Sequence, residues 1–477
     1  MNPFGSTSYA TTYAATSISS GDISYDASTG RVTFARGGTF LIVTDILVLV
    51  SGATGIVIKV KVNGSDRYIS SPLITIDVQD PRSWTCHGML DVADGDYLEV
   101  TIDSSTSELA AIQNGTSLVL LRAMGDYGSL LYTARSDAVD PAGGEHALFD
   151  SDNAGTVTGI RKGVTLAAST GLMTPATTRK FLMFSTPQLV VGGNGEVNHR
   201  LFANGSAIDG LPGQFRTSSD PQEMSYGFLK ELTGGQTTSV RLNGTDTVRC
   251  EEGTSFSIFD ISDEGVDPSA YLSFTVDSDS ADLAGGTDAC FDGLAKTDQV
   301  TAVGITYTSS GGTFVVANSG KYFILWTLML GTVDAGVRTL SVINGTKDTT
   351  VYTHEPWYIG ANNGPMEKTV CLIVDAEAGD SFRFIITDGE AKIDAGTAIT
   401  MFKVDDARFR QEEADALIAD DYTINTFAID TLGKQHDRAG SKQVPFVLGI
   451  PGPMSLRGRG FASTDEPHFV APGDKKN

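Results

Sequence analysis

The stretch DISYDASTGRVTFARGGTFLIV, residues 22–43, decides the fold because it returns twice, as GVTLAASTGLMTPATTRKFLMF at 163–184 and as GITYTSSGGTFVVANSGKYFILW at 304–326. Each reads as a strand, a turn and a second strand. Ile23 and Tyr25 share register with Val164 and Leu166 and with Ile305 and Tyr307, and the turn glycines Gly30, Gly171 and Gly312 coincide. Self-similarity at a fixed long period signals a chain built from repeats.

Two further anchors hold the same period. An Asn-Gly pair closes a strand at Asn63, Asn204 and Asn344, with spacings of 141 and 140 residues. A Gly-Thr pair opens an alternating apolar strand in GTSLVLLR from Gly115, GTSFSIFD from Gly253 and GTAITMFK from Gly396, with spacings of 138 and 143. A period of two suits a half-buried strand. The chain therefore divides into copies at 1–125, 126–266 and 267–406, followed by a distinct segment at 407–477.

The copies have drifted. DVADGDYLEV (91–100) and DAEAGDSFRF (375–384) share a Gly-Asp turn, whereas ELTGGQTTSV (231–240) keeps the glycine and loses the aspartate. An opening strand, a polar excursion and a return stand at 130–150 and 271–292, but the first copy offers only SYATTYAATSIS there, so its opening strand is expected to be short or borrowed. NTFAIDT at 425–431 is similar to the opening strand SFTVDS of the third copy and is a candidate to complete the first.

Composition agrees with an all-β chain. The 53 glycines and the abundance of Ser, Thr, Asp and Val are what short strands joined by tight turns require. A sandwich or jelly roll of about eight to ten strands per copy follows from the spacing. One short helix is expected at 407–422, with Phe409, Leu417 and Ile418 loosely sharing a face.

The order of landmarks resembles one family, the globular head of the first complement component with its tumour-necrosis-factor-like relatives. Tyr25, Asp26, Thr29, Gly30, Phe34, Gly38, Phe40, Asn63, Gly64, Gly95, Asp96, Tyr97 and Gly115 carry it in the first copy. Tyr307, Gly312, Phe314, Gly320, Tyr322, Phe323, Asn344, Gly379, Asp380, Phe382 and Gly396 carry it in the third. The resemblance spans about residues 20–405 and implies a jelly roll that packs as a trimer. With linkers as short as 124–129 and 263–269, it further implies an intramolecular pseudo-trimer rather than an extended string of domains.

The formal charge of −24, from 34 basic and 58 acidic residues, argues against a broad grip on nucleic acid or anionic membrane. The first twenty residues contain no Lys or Arg and no unbroken apolar core, which predicts no secretory signal. The longest apolar run, 41–50, is broken by Asp45 and too short to span a bilayer. Cys86, Cys250, Cys290 and Cys371 lack metal-ligand spacing and read as small core residues.

Residues 434–477 hold seven basic and four acidic side chains, a local +3 that leaves −27 for the rest. VPFVLGIPGPMSLRGRGF, within them, reads as an extended C-terminal arm, either solvated or docked on an acidic surface through Arg457, Arg459, Lys475 and Lys476. Two acidic clusters, 150–155 and 276–282, read either as calcium loops or as solvated turns, and no other cofactor is expected. Trp84, Trp357 and Tyr358 are the candidate glycan contacts. The Asn-Gly-Ser/Thr triplets at Asn63, Asn114, Asn204, Asn243 and Asn344 are explained by turn chemistry, since Asn-Gly takes positive φ readily.

Scattered histidines and the absence of nucleophile-elbow, zinc or phosphate-loop motifs predict a non-enzymatic protein. The expectation is a bacteriophage virion protein, assembled in the host cytoplasm, that decorates the capsid and contacts other virion proteins, above all the major capsid protein. The alternatives are a tail or head-fibre adhesin for host attachment through a surface glycan and, more remotely, a polysaccharide-degrading tailspike.

Overall fold

Strands in this chain alternate apolar and polar residues at period two and are punctuated by glycine turns, so antiparallel ladders are the local solution. The computed structural model describes residues 23–404 together with strand segments at 2–3, 9–10, 15–18 and 424–429. Within 23–404 it leaves out single positions and the loops 51–53, 77–81, 105–108, 140–145, 151–155, 193–195, 209–212, 217–220, 263–266, 278–288, 331–335, 360–365 and 388–391. The described residues are all-β, arranged as seven antiparallel sheets that form three sandwiches, the first and third of two sheets each and the second of three. The helix expected at 407–422 and the basic arm at 434–477 lie outside the described residues.

The third sandwich shows the plan. Its inner sheet runs Lys296–Val303, Tyr271–Val276, Ala398–Lys403, Gly320–Leu330, Met366–Ala376; its outer sheet runs Ile305–Thr308, Thr313–Val316, Ser381–Thr387, Gly336–Asn344, Thr349–Ile359. The chain passes repeatedly from one sheet to the other, as in a jelly roll. The second sandwich repeats the inner order with Val157–Lys162, Tyr127–Tyr132, Ser255–Asp260, Arg179–Thr186 and Tyr226–Leu232. In the first, Gly38–Val50 pairs Arg82–Val92 on one side and the closing strand Ser117–Arg122 on the other, and the order continues to Ile424–Ile429 and Ala15–Ile18. The opening strand of the first sandwich is thus drawn from beyond the third.

The anchors recur for physical reasons. Gly115, Gly253 and Gly396 take φ of 94°, 90° and 96°, a region that side chains with a Cβ rarely enter. The threonine after each is wholly buried, and its hydroxyl accepts from the backbone of a neighbouring strand: Thr116 from Leu47, Thr254 from Gln188 and Thr397 from Met329, at 3.0–3.1 Å. Asn63 and Asn204 adopt φ of 52° and 47°, as Asn-Gly turns favour. Asn344 does not; its Oδ1 instead caps a longer turn, accepting from the amides of Thr346 and Lys347.

Each sandwich has its own core, and a fourth apolar cluster is shared by all three. Alternation along the long strands divides them. Phe40 and Ile42, Phe181 and Met183, and Tyr322 and Ile324 point into their own sandwiches. Leu41 and Val43, Leu182 and Phe184, and Phe323 and Leu325 join the shared cluster. Inner-sheet strands buried on both faces read as continuous apolar runs, which is why 41–50 is so apolar. All four cysteines are buried and free.

Candidate functional site: the polar junction of the three sandwiches

Each sandwich touches both others, so the three close a ring. First and second meet where His87 Nδ1 lies 2.5 Å from Thr186 Oγ1 and 3.0 Å from Ser255 Oγ. Second and third meet where the Leu229 amide donates to Ser273 Oγ at 3.1 Å and Lys230 Nζ donates to Gln299 Oε1 at 3.3 Å. Third and first meet where Tyr352 OH donates to the Gly115 carbonyl at 2.7 Å and Ser117 Oγ donates to the Cys371 carbonyl at 3.1 Å.

The polar groups converge at equivalent positions on the inner sheets. Pairing of Asp45 with Thr85, Thr186 with Ser225 by extension of its ladder, and Thr327 with Thr369 makes Asp45, Thr186 and Thr327 counterparts. Ser83, Glu223 and Glu367 then occupy one register position, and Trp84, Met224 and Lys368 the next. Where two copies carry threonine the first carries Asp45, 1% exposed, and Lys368 of the third sandwich donates to both of its oxygens at 2.7 Å. Ser83 Oγ donates to Asp45 Oδ1 at 2.7 Å, and His354 Nε2 lies 3.8 Å from Oδ2. A buried charge needs this degree of enclosure by partners.

Around this pair stand two more carboxyls. Glu223 accepts from the Ser225 hydroxyl and from the Thr85 amide of the first sandwich, yet burial pushes its pKa up to about 7. Burial, with Glu223 nearby, holds Glu367 well above the ordinary glutamate range. The Thr369 hydroxyl donates to the Ser225 carbonyl, tying third to second. Burial drives His87 down to about 3, so its ring is neutral at ordinary pH. Through Thr186 and Ser255 this ring bridges the first sandwich to the second.

Sequence-derived candidates fall elsewhere. Trp84 sits in the core of the first sandwich at 9% exposure, which corrects its assignment as a glycan contact: the ring is spent on packing. Trp357 and Tyr358 lie on the strand Thr349–Ile359, paired with Arg338 and Val337, rather than on a loop. Arg457, Arg459, Lys475 and Lys476, and most of the acidic clusters 150–155 and 276–282, lie outside the described residues. Among the described residues no group of three or more His, Cys, Asp or Glu is placed to hold a metal ion, and no helix is long and apolar enough to cross a membrane.

No family model matches the chain, and no curated protein matches it. Among solved structures, the Eiger TNF of S. frugiperda aligns over 29% of this chain and 95% of its own, at 16% identity and a TM-score of 0.25. A Paenibacillus xanthan lyase aligns over 79% of this chain and 54% of its own, at 9% identity and a TM-score of 0.17.

The sequence carries one sign of the junction. Asp45 interrupts the longest apolar run, and a charge at an inward register position demands a partner. Nothing local in the sequence names Lys368, which is 323 residues away.

Proposed function

We propose that this chain is a non-enzymatic structural protein of a virus particle, a bacteriophage capsid-decoration protein built as a single-chain counterpart of a tumour-necrosis-factor-like trimer. The observation that carries this reading is the junction itself. The chain commits a buried Lys–Asp pair, a half-buried glutamate, Glu223, that accepts from the first sandwich, and a buried histidine to holding three sandwiches together. That is an investment in a fixed shape. Sandwiches that differ at equivalent positions also have separate places in the ring, so one flank is free to face a support while others face outward.

Charge supports a docking role for the later segment. A body of about −27 repels its own copies in solution, while residues 434–477, at a local +3, carry the opposite sign toward an acidic shell. The partner in this reading is the major capsid protein, and the locale is the virion assembled in host cytoplasm. Cosedimentation with purified particles tests it. The full chain binds and the chain lacking residues 434–477 loses binding; undiminished binding by the shortened chain removes the docking role, and failure of both to bind removes the decoration role.

A further inference from the structure

Among the described residues the opening position of the first sandwich is taken by Ile424–Ile429, while strands equivalent to those that follow an opening strand lie at 2–3, 9–10 and 15–18. Asn2–Pro3 pairs with Leu109–Ile112, and Tyr9–Ala10 pairs with Tyr97–Ser104. The second sandwich has the same pairings, with Ala138–Val139 on Val248–Cys250 and His146–Ala147 on Thr238–Gly244. Ala15–Ile18 then occupies the place held by Val157–Lys162 and Lys296–Val303 at the sheet edge. The described strands at 2–3, 9–10 and 15–18 thus match those that follow the opening strand in the second sandwich.

Ile424–Ile429 takes the opening position in the same register as the native opening strands. Leu130 lies opposite Phe256 and Phe274 opposite Ile399; Phe427 lies opposite Leu118. The next pairs agree as well: Leu131 with Ser255, Thr275 with Ala398, Ala428 with Ser117. A one-residue slip would exchange the two faces of a strand, so coincidence of register in all three sandwiches is a strong constraint. The strand is also paired on both sides, to Ser117–Arg122 and to Ala15–Ile18. The order of elements along the chain is therefore that of three equal repeats rotated by one strand.

We propose that the slot between Ser117–Arg122 and Ala15–Ile18 is a strand-binding site, that its occupant is Ile424–Ile429 of the same chain, and that this strand is the clasp closing the ring. The first and second sandwiches, and the second and third, are joined covalently by short connections at 123–126 and 261–270. Third and first are joined instead by residues 404–423 leading into a strand laddered on both sides within the first sandwich. Two ladders of backbone hydrogen bonds give such a site affinity, and alternation along the strand gives it register. The ligand class is an extended segment of about six residues with an apolar side chain at the position of Phe427.

Amide hydrogen exchange on the full chain, read together with its mass in solution, tests the clasp. The wild type is expected to be monomeric, with exchange at 424–429 and 15–18 slowed at least roughly 100-fold relative to an unstructured peptide. Thr426→Pro places a residue without an amide donor in a doubly paired strand, which a central strand does not tolerate. The variant should lose protection at 424–429 and 15–18 and part of it at 117–122, while Tyr127–Tyr132 and Tyr271–Val276 stay protected. Global loss of protection in the variant also supports the clasp when the wild-type strand is protected. Unprotected 424–429 in the wild type, or unchanged protection of 15–18 in Thr426→Pro, overturns it. A wild-type dimer whose 424–429 protection vanishes on dilution overturns closure within one chain.

Discussion

Lys368 Nζ, on the third sandwich, lies 2.7 Å from both carboxylate oxygens of Asp45 on the first, and neither residue is more than 5% exposed. The pair bridges the one boundary of the ring that no short covalent connection spans. Lys368→Met leaves Asp45 buried without its cation, a loss of about 3–5 kcal/mol. The double variant Asp45→Thr/Lys368→Met should recover most of it, because Thr327 and Met224 already hold those register positions in the third and second sandwiches. Urea unfolding of the three proteins gives the comparison.

Glu223 makes stability depend on pH in a defined direction. Folding raises its pKa from 4.5 to about 7, so the protonated form is favoured in the folded state. Its contribution is complete below pH 4.5 and lost as pH rises through about 7. His87 acts oppositely: its pKa falls from 6.5 to about 3, so its contribution is complete above pH 6.5 and lost as pH falls toward 3. Glu223→Gln isolates the first effect, since His87 titrates in both proteins. Between pH 4.5 and 8 the wild type should lose about 3 kcal/mol relative to the variant, measured by denaturant unfolding at each pH.

Gly227 stands where the second sandwich approaches the third. A Cβ there would lie 2.8 Å from Leu325 Cδ2 and 2.9 Å from the Met183 carbonyl oxygen. The backbone oxygen cannot swing aside as a flexible side chain would. Gly227→Ala should therefore destabilise the chain by about 1–3 kcal/mol, read as a lowered unfolding midpoint.

The three Gly-Thr anchors offer a symmetry test. Thr116, Thr254 and Thr397 each accept from a buried backbone amide. Replacing any of them with valine keeps the shape and strands that donor, costing about 1–3 kcal/mol. Losses of similar size at all three positions are expected in thermal unfolding.

Much of this fold was legible in the sequence because its signals are local. Gly115 needs a positive φ, Asn63-Gly64 needs a tight turn, and Leu41 and Ile42 alternate between two buried faces. The similarity of 425–431 to the opening strand of the third copy pointed to the opening position of the first sandwich. The junction was not legible for the opposite reason. His87, Glu223 and Lys368 come from three different copies, and nothing local brings their side chains together until the ring is closed. Trp84 misled because an aromatic beyond a turn looks available for stacking, while the ladder from Arg82 to Val92 turns it inward.

The central claim is that three sandwiches of one polypeptide close on themselves. Small-angle scattering from the monodisperse full chain tests it most directly. A closed ring predicts a single compact maximum in the distance distribution and a radius of gyration of about 23 Å. A profile with successive maxima at one and two domain separations, as from a rod three domains long, would contradict it.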